Sequence, residues 1–209
     1  MFNLYYSPGA CSLAPHIVLE ELGVAYETHR VNLAAGEQRT PEYLKMNPLG
    51  RVPVLEYDGR ILTENVAILT FLGGAFPKRG LWPRETFDQA AAISMMGFLC
   101  SSVHPAYSTI FRPSRWVEDA SAAEALKATG RKRYFDFLKM IDAKLAGKNW
   151  FMGRQYTVVD PYLLVFYRWG NRIGLDVQSL ANYSGHIERL LKRPAVKRVM
   201  EHEGITLDT

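Results

Sequence analysis

Cysteine is scarce in this chain: only Cys11 and Cys100 among 209 residues. Two thiols make no disulfide framework, and no His, Cys, Asp and Glu spacing matches a metal-ligand pattern. A reduced compartment is expected. Long hydrophobic runs are also missing. Stretches such as 162–167 fall far short of the roughly 20 apolar residues that a membrane span needs. The first six residues, MFNLYY, carry no basic segment and no long apolar core, so they read as a strand rather than a signal peptide. These absences together place the chain in the cytoplasm, away from membranes. Nor does one sign of charge dominate, with 25 Lys+Arg against 21 Asp+Glu and a net +4. The basic clusters at 127–133 and 192–198 sit on helical patterns and read as solvated faces. No larger basic stripe or nucleic-acid reading module accompanies them, so no nucleic-acid partner is expected. Repeats and low-complexity segments are absent as well.

Apolar residues are plentiful, at 48% of the chain, enough for a sizeable core. Residues 2–6 form an aromatic-rich run suited to a buried strand. A turn follows at 7–12, and Ala14, Ile17, Val18 and Leu22 then line one face at helical spacing. Gly23 stands where a helix-ending glycine belongs. A second strand is expected at 26–33, opening a parallel strand–helix–strand unit. Thr40, Pro41 and Glu42 read as a short helix start, with proline at the first helical position. Residues 52–57 and 60–62 read as two strands joined by an Asp58-Gly59 hairpin turn. A helix then runs from Glu64, with Val66, Leu69 and Leu72 facing inward. The order is βαβ, a short helix, then ββα. Glycines and prolines punctuate 73–83 as a linker. Beyond residue 85 every strong pattern is helical, with helices expected near 86–111, 120–146, 158–173 and 186–201. Thr157 and Asp160 have the spacing of a capping box before the third of these.

Two chemical signals stand out. Cys11 and Ser12 open the first helix, where free N–H groups and the helix dipole stabilise a thiolate; a small buried hydrophobe is the equally open alternative. Glu64-Asn65 opens a helix directly after a strand, a place that favours an anion or simply a helix cap. Pro53 inside a strand removes a ladder bond and demands an edge or a special turn.

The strings YYSPGACS (5–12), NPLGRVPVL (47–55), LTENVAI (62–68) and YTVVDPY (156–162), in this order of elements, resemble the cytosolic glutathione S-transferases, and Cys11 in the first turn resembles the bacterial beta class. The resemblance covers nearly the whole chain. It implies a thioredoxin-like α/β glutathione-binding domain at 1–76 and an all-helical domain at 86–209. It implies a homodimer and conjugation of the glutathione thiol to a hydrophobic electrophile, with glutathione as co-substrate and no metal or other cofactor. A glutaredoxin-like thiol transferase, a glutathione-dependent dehalogenase and a non-catalytic scaffold are the alternatives.

The resemblance also implies site residues. Cys11, Ser12, Tyr6 and His104 are the candidates for activating the thiol. Tyr5 and Tyr6 alternate along the strand, so at most one of them faces the sulfur, and core packing or contact with the second substrate is the expected duty of Tyr6. Arg51, Val52, Pro53, Glu64 and Asn65 are implied for glutathione. A cis peptide at Pro53 would let Val52 pair with the cysteinyl backbone like an added strand. Tyr107 and Trp169 are implied for the electrophile pocket. Two departures stand against the beta-like pattern. Gly97 occupies a place where an asparagine is usual, and the 34–39 loop is short, with Arg39 as the substitute for a basic residue on the glycyl carboxylate. Cys100, on a helical pattern beside Phe98 and Leu99, is expected to be buried.

Overall fold

The computed structural model describes residues 1–208. Its N-terminal part is a four-stranded sheet in the order β2-β1-β3-β4, with β1 at Phe2–Tyr6, β2 at Tyr26–Arg30, β3 at Val54–Tyr57 and β4 at Arg60–Thr63. β1 runs parallel to β2 and antiparallel to β3, with Leu4 opposite Thr28 on one side and Leu55 on the other. Strand alternation divides the aromatics of β1. Phe2, Leu4 and Tyr6 face the main core, while Tyr5 joins a small second cluster with Val31, Tyr43, Val52 and Val54. β3 begins two residues later than the pattern implied, because Pro53 cannot donate to the ladder. β2 likewise stops at Arg30 rather than 33.

Three helices complete this part: α1 (Leu13–Leu22), α2 (Pro41–Met46) and α3 (Asn65–Ala75). α1 ends at Gly23, whose φ of 62° is the left-handed conformation that its position requires. Thr40 caps α2 by accepting the Tyr43 N–H. The linker is stitched to the helical part: the Val158 N–H donates to the Leu81 carbonyl, and Gln155 donates to that of Gly80.

The helical part holds α4 (Thr86–Phe98), α5 (His104–Phe111), α6 (Ala120–Leu145), α7 (Val159–Arg172), α8 (Ala181–Leu191) and α9 (Pro194–Glu203). α4 and α5 form one rod interrupted by a π turn at Leu99–Val103. α7 is buried along its length and serves as the central post. The single helix expected at 186–201 is two helices. Pro194 pushes Arg193 into the extended region, at φ −71° and ψ 129°, so α8 must stop and α9 must begin with proline at its first position. α1 packs on both α7 and α9, so the chain's last helix touches the first domain.

Half of the Thr157–Asp160 capping box forms: Asp160 reaches back to the Thr157 N–H, while the Thr157 hydroxyl donates to Asp160 and accepts from the Val159 N–H rather than from that of Asp160. The Asp160 carboxylate accepts the Thr157 N–H at 2.7 Å and the Phe151 N–H at 2.8 Å, fully buried. Burial pushes its pKa up to about 7, and these same donors oppose that rise.

Candidate functional site

A cavity of about 600 Å³ lies between the two domains. One wall is the turn at 7–11, the loop at 50–53 and the start of α3. The opposite wall is the π turn, α5 and the inner face of α7. Of the residues singled out from sequence, the cavity gathers Cys11, Arg51, Val52, Pro53, Glu64, Asn65, His104, Tyr107 and Trp169. Tyr6 and Ser12 are not among them.

The first turn is held by Ser12, whose hydroxyl accepts the Ser7 N–H and donates to the Ser7 carbonyl, both at 3.2 Å. Ser12 is completely buried by this duty, so its hydroxyl is spent on the turn and does not reach the cavity. Tyr6 points to the opposite side of the sheet. Its ring packs on His16 and His202, and its hydroxyl lies 3.4 Å from the His202 ring. Alternation along β1 puts it there, in the packing duty of the two expected.

Cys11 differs from the thiolate reading. The helix begins two residues later, at Leu13, and the Cys11 side chain is 8% exposed. Its thiol donates to the Val52 carbonyl at 3.4 Å. Burial pushes the thiol up to about 12, outweighing the help of Asn65 and of the nearby Arg51 charge. The thiol is therefore protonated at neutral pH. Cys100, expected to be the buried cysteine, is half-buried on the π turn and lines the same cavity.

The Val52-Pro53 peptide is cis, as the resemblance implied. Val52 lies outside the ladder, and among the described residues its N–H meets no acceptor. The preceding Arg51 carbonyl is pinned by the Tyr43 hydroxyl at 2.8 Å and the Asn47 amide at 2.9 Å. Glu64 has φ 70° and ψ 124°, a costly conformation for a residue with a side chain. Its side chain does not cap α3, so the first amides of that helix have no side-chain acceptor there, and Glu64 and Asn65 line the cavity. Asn65 donates to the Cys11 carbonyl at 3.1 Å, and its own buried Oδ1 has no partner. The Tyr107 hydroxyl is also buried without a partner. Both residues line the cavity, so a polar ligand there would meet an acceptor and a hydroxyl waiting for it.

His104 packs edge-on against Trp169, with ring centroids 4.9 Å apart. Burial, with the charges of Arg51 and Arg115, lowers its pKa to about 4, so it is a neutral imidazole at pH 7. Tyr107 stacks on Trp169 at 4.4 Å. Gly97 is not among the residues lining the cavity. Arg39 sits beside the Gly50 turn, its Nη1 3.1 Å from where a Gly50 Cβ would be.

Sequence reading missed the residues that hold the site from behind. The Gly9 N–H donates to Glu203 of α9 at 2.8 Å, and the second oxygen of Glu203 meets His16 Nδ1 at 2.8 Å. The Gly9 carbonyl accepts from Trp169 Nε1 at 2.9 Å and from Arg168 at 3.1 Å. Gly9 has φ 66°, and a Cβ there would stand 2.6 Å from the Arg168 guanidinium, so only glycine fits. Arg168 had a visible signal, a charge in the middle of an apolar helix. Glu203 had none, because its partners lie 194 and 187 residues away in sequence.

The glutathione S-transferase N-terminal domain family matches residues 2–74, and the corresponding C-terminal domain family matches residues 92–202. Glutathione S-transferase GST-4.5 of Xanthomonas campestris is 32% identical over 97% of this chain and 99% of its own. A glutathione transferase homologue from Sulfitobacter, solved with bound glutathione, has a TM-score of 0.93 at 31% identity and covers 99% of both chains. The beta-class glutathione S-transferase of Sphingomonas chungbukensis has a TM-score of 0.86 at 34% identity, covering 98% of this chain and 100% of its own.

Proposed function

This chain belongs to the glutathione S-transferase family, and from that premise we propose that its cavity binds glutathione and transfers the glutathione thiol to an electrophile. The observation that carries the reading is the convergence on one cavity of the Val52 backbone, its N–H without an acceptor among the described residues, and the uncapped start of α3, with Cys11 between them. A cysteinyl backbone fits the Val52 edge as an added strand. The γ-glutamyl carboxylate fits the α3 amides, and Glu64 supplies a counter-charge for the neighbouring ammonium. The glutathione sulfur then falls near Cys11 and His104.

Catalysis under this reading is the stabilisation of a thiolate beside its target. A neutral His104 N–H donates a hydrogen bond to that sulfur, and so does the neutral Cys11 S–H once it turns from the Val52 carbonyl that it meets in the free protein. The positive field of Arg51 and Arg115, which disfavours a protonated His104, favours a thiolate in the same place. The thiol proton leaves to solvent, the C–S bond forms, and the leaving group departs with its electron pair. Tyr107 and Trp169 form the apolar wall for the electrophile. The buried, protonated Cys11 counts against a glutaredoxin-like mixed disulfide as the main chemistry.

Calorimetry with glutathione tests the reading together with conjugation of 1-chloro-2,4-dinitrobenzene. Glu64→Ala should weaken glutathione binding about 10- to 150-fold, the scale of a hydrogen bond to a charged group. Unchanged affinity in that variant would remove the γ-glutamyl site from the scheme. We further propose a cytoplasmic homodimer. Exposed Ile61, Phe87 and Ile93 offer apolar surface for a second copy, and a monomer mass by light scattering at micromolar concentration would oppose it. Among the described residues no helix is long and apolar enough to cross a membrane.

A further inference from the structure

The cavity wall is unbalanced in charge. Five arginines line it, Arg30, Arg51, Arg112, Arg115 and Arg172, against one acid, Glu64. Glu64 and Arg51 lie on the glutathione side proposed above, where Arg39 also stands. Arg112, Arg115 and Arg172 come from the helical domain, on the other side of the cavity, where the glutathione reading gives none of them a contact and draws only on the field of Arg115. Among the described residues none of the three is in an ion pair. Two of them converge on one ring: the guanidinium carbons of Arg112 and Arg172 lie 5.6 and 5.3 Å from the centre of Phe111. Bringing like charges together without a counter-charge costs energy. Consistent with that crowding, the charges of Arg112, Arg51 and Arg39 add to burial in lowering the pKa of Arg115.

We propose that the second substrate is an anionic aromatic electrophile, its ring against Tyr107, Phe111 and Trp169 and its carboxylate gripped by Arg112, Arg115 and Arg172. Planar guanidiniums suit a carboxylate, which they bind in a forked geometry. The ring stack of Tyr107 on Trp169 supplies the flat apolar surface. With a chloronitrobenzoate the glutathione sulfur forms a bond to the ring carbon bearing chlorine. Chloride leaves with the bonding pair, and the thiol proton goes to solvent. The inference rests on the glutathione reading and narrows it from hydrophobic electrophiles in general to charged ones.

The test uses a matched pair, 4-chloro-3-nitrobenzoate and 4-chloro-3-nitrobenzamide, which differ in charge at one substituent. Each kcat/KM is divided by the rate constant of the uncatalysed reaction with glutathione, which removes intrinsic reactivity. The carboxylate should be preferred by about 10-fold or more, the scale of one charge-assisted contact. That ratio should fall toward one in Arg115→Gln/Arg172→Gln and shrink in 0.5 M salt as exposed charges are screened. Because both substrates are measured on each variant, partial unfolding cancels from the ratio. The affinities of the two glutathione conjugates, measured by calorimetry, give the same comparison without turnover. Equal values for the pair by both measures, or a preference that survives the double substitution, would overturn the anion site while glutathione still binds. Loss of glutathione binding itself, in the unsubstituted protein, would overturn the parent reading and the anion site with it.

Discussion

Glu203 supports the proposed glutathione site from the far end of the chain, and removing it should show how much. Its side chain is fully buried, and the carboxylate accepts from the Gly9 N–H and from His16 Nδ1, each at 2.8 Å. Truncation in Glu203→Ala strands one buried backbone N–H and one buried imidazole. A hydrogen bond to a charged group is worth roughly 1.5–3 kcal/mol, so two give about 3–6 kcal/mol. That is a large share of the 5–15 kcal/mol typical of a domain. Glu203→Gln keeps the shape and should lose about half. Glu201→Ala, exposed on the same helix, should stay within about 0.5 kcal/mol. Urea unfolding measures all three. The Gly9 turn forms part of the cavity wall, so glutathione affinity of the folded fraction should drop as well. A Glu203→Ala loss below about 1 kcal/mol would refute the clamp. Lost stability with undiminished affinity would show that the carboxylate supports the fold and leaves the turn in place.

Other outcomes follow from the buried groups. Cys11→Ala should keep glutathione binding and lower kcat only about 2- to 10-fold, the loss of one neutral donor; thiolate absorbance from Cys11 at pH 7, or a thousandfold drop, would contradict a thiol held at about 12. His104, held at about 4, should put no break into the profile of kcat/KM between about pH 5 and 8. Folded His104 and His186 both release their protons near 4 against 6.5 when unfolded, so their share of stability, full above about 6.5, is lost as pH falls toward about 4. Asp160, raised from 3.8 to about 7, acts in the opposite sense over an overlapping range. His104→Ala should therefore reduce the slope of stability against pH by about 1.4 kcal/mol per unit, one proton's worth. Asp160→Ala should cost roughly 2–6 kcal/mol, since two buried N–H groups lose their acceptor; denaturant unfolding checks this, and a cost below 1 kcal/mol would mean that the loops re-pair.

The sequence made the sheet and most helices readable because their signals are local. Alternation in 2–6, the Asp58-Gly59 turn and Thr40-Pro41 each sit within a few residues of the structure they cause. Pro194 was equally visible, and reading through it merged α8 with α9. Nine of the implied site residues meet at one cavity, since the motifs lie at strand ends and helix starts that the fold brings together. What failed were properties that depend on burial. The position of Cys11 leaves a helix-start thiolate and a small buried hydrophobe equally open, and its surroundings decide between them; those come from Val52, Asn65 and the helical domain. Ser12 is consumed by the turn that it closes on Ser7, and its burial there keeps it out of the cavity. The arginines of the second domain carried no pattern, because they converge only after α5, the turn that follows it and α7 have packed.

The π turn at Leu99–Val103 sets the phase of everything after it. Its widened loop, closed by the His104 N–H on the Leu99 carbonyl, carries one residue more than an unbroken α-helical rod would hold. Closing that ladder into a regular α-helix with every residue kept would turn all of α5 by about 100° about its axis. His104, Tyr107, Phe111 and the arginine-bearing segment behind them would swing off the cavity together, leaving the N-terminal wall untouched. Deleting Ser101 or Ser102 would instead remove the surplus residue along with the bulge, and α5 would keep the face it now presents, so the facing of the second wall hangs on one residue that the first wall never meets.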